Sequence, residues 1–336
     1  MKSRTLYFTA PCQIEIREHS LPALAPDQAL VETICSAISP GSEMLIYRGQ
    51  FPKDLPDSDD YVSSGLHYPL AYGYANVGRV IGIGKSVGRE WEGRLVFAFQ
   101  PHTSHFVATP DRLLPIPDAH SSETACILPS METAVNLVQD AAPILGERVL
   151  VLGQGVIGLL TAALLHEFPL ETIVTADCYP YRRQASLDIG VSASLDPNTA
   201  DFLNQLRRAL GDAADLAFEL SGRPEALNQA LALTTYSGRI VIGSWYGEKR
   251  APIDLGGAFH RSRIKLISSQ VSTISPELSG RWDKARRFEV SWELLKRIKP
   301  EKWITHRFPV SKAEEAYMLL DENPQSTIQV VFEYSQ

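Results

Sequence analysis

The chain is poor in cysteine, shows no internal repeat and has no excess of positive charge. Its four cysteines (Cys12, Cys35, Cys126 and Cys178) lie far apart with no C-x-x-C pair, which excludes a disulfide framework and a thiolate zinc knot. A reducing, cytoplasmic setting is expected. Lys and Arg number 32 against 39 Asp and Glu, a formal charge of -7, so no positive field gathers phosphate backbones and nucleic acid is not an expected partner. No period of about 20 to 50 residues recurs, excluding solenoids and propellers. The first residues lack an apolar run followed by a small-residue cleavage site, so no export is expected. One long uncharged run, Val149 to Leu165, covers 17 residues, the lower edge of a membrane span. Glycines at 153, 155 and 158 divide it into a β-branched strand and a helix over Ile157–Glu167, so no membrane role is expected.

What is present fits a folded chain with about two domains: 336 residues, 44% hydrophobic and 21% charged, enough for two cores. Up to about residue 128 the signals are short strands (Gln28–Ile34, Asn76–Ile83, Arg94–Phe99 and His105–Thr109) separated by Gly and Pro, the signature of a β-rich, partly closed barrel. Phe51–His67, rich in Asp, Pro and Ser, reads as a surface loop or lid. With Tyr47, Tyr61, Tyr68 and Tyr72 it suggests a roomy, partly apolar cleft. From about 129, buried strands at Val149–Leu152, Thr172–Ala176, Leu216–Glu219 and Arg239–Ser244 alternate with amphipathic helices, which predicts a parallel α/β sheet. Gly190 is expected after a helix Arg182–Ile189, Pro224 just inside a helix ending at Leu233, and Gly238 after the next turn. His260–Arg263 leads into a further strand, Lys265–Ser269. Beyond 271 come a basic amphipathic segment (Arg281–Lys299), a helix after Val310 and a final strand, Ile328–Tyr334. Trp282, Lys284, Arg286 and Arg287 are expected to form a positive helix face that is solvated or edges a substrate cleft.

Gly153-Gln154-Gly155-Val156-Ile157-Gly158 matches G-x-G-x-x-G after a strand and at the opening of a helix, the context in which that motif binds a dinucleotide. Gly153 permits the turn, Gly155 lets backbone approach a pyrophosphate, and Gly158 lets helix and strand pack closely, while the helix N-terminus supplies donors. Asp177 ends the next strand, where a carboxylate accepts ribose hydroxyls and favours NAD. Arg182 and Arg183 keep NADP possible, because arginines there contact a 2′-phosphate. Further cofactor contacts are expected from Ser221 and Gly243.

A barrel-like first half, a central dinucleotide fold and a tail returning to the first half resemble the medium-chain dehydrogenase/reductase superfamily, which includes zinc alcohol dehydrogenases and quinone oxidoreductases. The resemblance rests on Ser36–Glu43, Gly73–Val80, the glycine turn, Phe218–Gly222 and Ile304–Val310. The segments Ser39–Glu43, Leu45–Gly49 and Tyr68–Tyr74 look closest to the branch containing bacteriochlorophyllide hydroxyethyl dehydrogenase. It implies an α/β protein with a GroES-like β-rich catalytic domain (1–128 and 272–336) around a Rossmann doubly wound parallel sheet (129–271), and a homodimer joined through the sheet edge.

Zinc members of that superfamily hold a Cys where this chain has Ser39 or Pro40, a Gly-His-Glu where it has Gly73-Tyr74-Ala75, and a Cys or Glu near Pro129; the four-Cys structural lobe is missing too. No zinc is therefore expected. His102 and His105, three apart, are the only tight His pair, and no carboxylate or Cys accompanies them in sequence. By position, the resemblance makes Tyr74 the donor to the developing oxyanion, Ser42 the relay of the alcohol proton, Ser39 a second donor and Glu43 the acid that orients them. His102 and Glu132 are further possibilities. The expected function is metal-independent hydride transfer between NAD(P)(H) and a small-molecule alcohol or carbonyl. The alternatives are an NADPH-dependent enoyl or quinone reductase and a non-catalytic dinucleotide-binding protein.

Overall fold

The computed structural model describes residues 1–52 and 66–334; residues 53–65 of the expected lid, with Tyr61, lie outside them. Strands β1 (Lys2–Ala10) and β2 (Gln13–Ser20) open the chain, followed by β3 (Ala29–Ala37), helix α1 (Ser42–Tyr47), β4 (Leu70–Ala71), β5 (Asn76–Ile83), β6 (Leu95–Ala98), β7 (His105–Ala108) and β8 (Leu114–Pro115). Helices α2 (Ser122–Ala125) and α3 (Leu128–Ala141) lead into β9 (Arg148–Leu152), α4 (Val156–His166), β10 (Thr172–Ala176), α5 (Pro180–Leu187), β11 (Ala193–Leu195), α6 (Phe202–Leu210), β12 (Ala214–Glu219), α7 (Ala226–Leu233), β13 (Thr234–Ile242) and β14 (Lys265–Ser268). Helix α8 (Lys284–Ile298), β15 (Ile304–Pro309), α9 (Ala313–Glu322) and β16 (Gln329–Glu333) complete it. Two compact units result: Met1–Pro129 with Trp292–Gln336, and Ser130–Ser291.

In the first unit, among the described residues, a seven-stranded sheet runs β15-β16-β3-β5-β6-β8 with β7 also paired to β3, beside a three-stranded sheet β2-β1-β4. The tail enters this sheet through β16, which pairs antiparallel with β3. The β1–β2 hairpin is absent from the sequence-based expectation because no glycine marks its turn; Cys12 takes the left-handed conformation instead, with φ 58°. Its signal was alternation, since Leu6 and Phe8 are fully buried and pair with Ile16 and Ile14. They pack with Ile38, Ile46, Tyr317 and Phe332 in one core.

In the second unit, six parallel strands run β11-β10-β9-β12-β13-β14, the doubly wound order in which a ligand crevice opens where β9 and β12 diverge. Residues Val149–Leu152 of the central β9 are buried, as is nearly all of α4. That explains the uncharged run from Val149: a central strand is covered on both faces, and the helix beneath it joins the same core. Among the described residues no helix is long and apolar enough to cross a membrane.

Four expectations change here. Pro224 precedes α7 rather than opening it. Gly238 lies inside β13, where a Cβ would meet Thr234 Cγ2 at 2.6 Å, so α7 runs directly into its strand with no glycine stop. The second unit extends to Ser291 rather than 271, and the expected solvated positive face of α8 is partly interior. Arg287 is fully buried, donating to Glu132 Oε1 at 2.8 and 3.1 Å and to Asn136 Oδ1 at 2.5 Å, with Lys284 Nζ 2.8 Å from the same carboxylate. An unpaired buried cation would be too costly, so α3 supplies the carboxylate that draws Arg287 inward.

Candidate active site

Ser39, Pro40 and Gly41 connect β3 to α1, whose first turn carries Ser42 and Glu43. The Glu43 side chain turns back to accept the Ser39 N–H at 2.8 Å, resembling the reciprocal arm of a capping box. Gly73, with φ 120°, delivers Tyr74 from the other side just before β5. Only glycine fits there: φ is in the left-handed region and a Cβ would stand 2.9 Å from His102 Cδ2.

These two arms bring three hydroxyls into a triangle. Tyr74 O–H donates to Ser39 Oγ at 2.5 Å, Ser42 Oγ lies 2.7 Å from Tyr74 Oη, and Ser39 Oγ lies 3.0 Å from Ser42 Oγ. Three single-donor hydroxyls satisfy one another when the bonds run one way round, leaving each oxygen a spare lone pair. Burial pushes the Tyr74 phenol above its ordinary range, against hydrogen bonds from both serines that pull the other way. It is protonated at neutral pH.

Behind the triangle, Glu43 is fully buried. It accepts from Tyr317 O–H and sits 2.9 Å from His102 Nε2. His102 Nδ1 meets Ser36 Oγ at 2.7 Å, and Ser36 Oγ meets Tyr334 Oη at 3.0 Å. Of the expected His pair, His102 therefore faces Glu43 while His105 Nε2 lies 3.6 Å from Glu32; they do not converge. Among the described residues no three His, Cys, Asp or Glu side chains form a metal-holding group. The donor set at the triangle also fits zinc poorly: Ser39, Ser42 and Tyr74 are neutral hydroxyls, and Glu43 already accepts from three groups. Glu132, a further candidate, is taken up by Arg287 and Lys284.

In the second unit the glycine turn has the stereochemistry its sequence requires. Gly153 has φ 93°, and a Cβ there would lie 2.5 Å from Leu220 O. One on Gly158 would lie 1.9 Å from Gly153 O, whereas one on Gly155 meets nothing within 4 Å. Thus the first and third glycines serve packing and the middle one leaves open backbone at the start of α4, where Val156 and Ile157 contribute first-turn N–H groups. Gln154 Oε1 is buried without a partner. Asp177 accepts from Gln154 N–H and Tyr179 N–H, both at 2.8 Å, which fixes its carboxylate beside the turn. These groups fit an adenine dinucleotide. The Arg182 guanidinium lies over the Tyr179 ring at 4.9 Å, and Arg183 donates to Asp177 O. Ser221 is held by Glu219. Gly243 is a packing glycine, whose Cβ would stand 2.5 Å from Leu137 Cδ2.

Residues 156–288 match the zinc-binding dehydrogenase family. D-guloside 3-dehydrogenase of Escherichia coli K12 is 23% identical, over 97% of this chain and 99% of its own length. The chain is similar to that dehydrogenase along nearly its whole length. Among solved structures, a short chain alcohol dehydrogenase from E. coli CFT073 complexed with NADH superposes with TM-score 0.80 at 19% identity, covering 99% of each chain. 2R,3R-butanediol dehydrogenase from Bacillus subtilis gives TM-score 0.80 at 20% identity, over 99% of this chain and 100% of its own. Ser39, Ser42, Tyr74 and Glu43 were legible as candidates. The pairing with His102 and Tyr317 was not, because Glu43 and Tyr317 are 274 positions apart and no motif joins them.

Proposed function

We propose that this protein is an NAD(H)-linked dehydrogenase of small alcohols or polyols, also acting as a carbonyl reductase, in which side-chain hydroxyls handle the proton without a metal. The observation that carries this reading is the Tyr74–Ser39–Ser42 triangle, in which the resemblance puts Ser39 and Tyr74 at metal-ligand positions of zinc members and Ser42 at the proton-relay position. The named relatives, dehydrogenases of a guloside and a butanediol, support the alcohol class. When bound, the nicotinamide cofactor accepts or supplies the hydride.

The chain's own residues hold and move the proton. A substrate hydroxyl donates to a spare lone pair of the triangle, so Tyr74 and Ser42 orient it. For a carbonyl, the Tyr74 O–H turns from Ser39 Oγ to the substrate oxygen and stabilises the charge that develops there. The phenol gives its proton to that oxygen, Ser42 Oγ re-protonates the phenol, and Ser39 and Ser42, half-buried beside exposed Gly41, take the replacement proton from solvent; in alcohol oxidation the relay runs the other way and releases a proton. Gly153–Gly158 and Asp177 hold the dinucleotide, with NAD preferred because Asp177 repels a 2′-phosphate.

The experiment is an assay with NAD+ against sorbitol, butanediol and related alcohols, and with NADH against the corresponding ketones. Tyr74→Phe lowers kcat by about 10²- to 10³-fold with NADH affinity unchanged, and a zinc chelator leaves the wild type active. Undiminished turnover in Tyr74→Phe, or stoichiometric zinc whose removal abolishes activity, would falsify this reading.

A further inference from the structure

Glu219 closes β12, and its residue partner across the parallel ladder is Leu152, the last residue before the glycine turn. Its side chain is fully buried, and its oxygens accept from Ser221 N–H at 2.9 Å, from Ser221 O–H, and from Tyr246 O–H at 2.6 Å. In each of these bonds the partner donates and a carboxylate oxygen accepts. The loop it anchors abuts the cradle: Leu220 O lies 2.5 Å from where a Cβ on Gly153 would be. A second clasp, Gly222 N–H to Ser244 Oγ and Lys249 Nζ to Gly222 O, both at 2.9 Å, ties that loop to the segment after β13.

A doubly wound sheet binds one mononucleotide on each half, across the point where strand order reverses. Asp177 ends a strand of the half formed by β9, β10 and β11, the adenosine side. Glu219 ends the first strand of the other half, so its buried charge belongs to the nicotinamide side. The nicotinamide ring is cationic in NAD+ and neutral in NADH. Any repulsion between Glu219 and the pyrophosphate is the same for both forms and cancels in their ratio; only the attraction to the ring differs. We infer that Glu219 is an oxidation-state selector, a fixed negative charge that favours bound NAD+ over bound NADH and tunes the direction in which the site is poised. This rests on the dinucleotide reading above.

The test is calorimetric titration of the purified protein with NAD+, NADH and ADP-ribose, which shares the pyrophosphate but lacks the ring. In Glu219→Gln the ratio Kd(NAD+)/Kd(NADH) rises about tenfold, the scale of one partly screened unit charge, while NADH and ADP-ribose move together. Tyr246→Phe, which removes one donor and leaves the carboxylate less shielded, moves the ratio the opposite way and keeps the question answerable if the Gln variant does not fold. A Glu219→Gln change that weakens all three ligands equally, or a ratio unmoved in Tyr246→Phe, would overturn the inference while leaving the dinucleotide site intact. Wild-type protein that binds none of the three ligands would overturn both.

Discussion

His102 joins the two arms that carry the hydroxyl triangle. Its Nε2 meets Glu43, which holds the Ser39 N–H, and its ring lies against the backbone of Gly73, next to Tyr74. Asn76 Nδ2 steadies the same loop through Pro101 O and Thr103 O at 3.3 and 3.4 Å. Removing His102 leaves a buried carboxylate short of one partner and lets both arms shift. His102→Ala should therefore destabilise the protein by about 2–3 kcal/mol in urea melts and lower kcat more than it raises KM. His102→Gln, which still donates to Glu43, should recover part of both; equal stability in wild type and His102→Ala would show that the pair contributes nothing. The sequence exposed His102 as half of a His pair and as a further catalytic possibility, but not its partner, because the carboxylate it faces is 59 positions away.

At the scale of elements, α3 and α8 are joined by a buried cluster rather than by apolar stripes alone. Arg287 donates to Glu132, Asn136, Thr273 O and Val271 O, and only a planar guanidinium reaches all four. Arg287→Met strands Glu132 with the half-buried Lys284 as its remaining cation, so unfolding free energy should fall by about 3–5 kcal/mol, measured by denaturant titration. Arg287→Lys should recover little of it. A variant as stable as wild type would mean that Glu132 finds another partner or takes up a proton at no cost. A basic amphipathic helix was visible in the sequence, but which of its cations turned inward depended on a carboxylate from a helix 155 positions away.

For the molecule as a whole, several buried phenols set the alkaline limit. Burial is the largest cause raising Tyr317, Tyr334 and Tyr74 above the ordinary value of 10.0, and it pushes Tyr68 up to about 12. A phenol whose pKa is higher folded than unfolded binds its proton more tightly in the native state. Its contribution is complete below about pH 10 and is lost as pH climbs toward the folded value. Tyr317 and Tyr334, both buried in the first unit, should each add a slope of about 1.4 kcal/mol per pH unit above pH 10. Melting temperature should hold steady through neutral pH and drop steeply beyond pH 10, and less steeply in Tyr334→Phe. A flat profile to pH 12 would contradict the assignment.

The linear chain by itself determined the alternation of strand and helix from residue 149, the glycine turn and the acid after the second strand, because hydrophobic period and glycine stereochemistry act over a few neighbouring residues. It also displayed Ser39, Ser42 and Tyr74 as candidate site residues. Only the tertiary structure decided that these hydroxyls close a triangle, that His102 and Tyr317 saturate Glu43, that Arg287 is interior, and that Glu219 is buried beside the cradle. Hydrogen bonds and desolvation depend on groups far apart in sequence meeting within about 3 Å, and no local pattern records which partner will arrive.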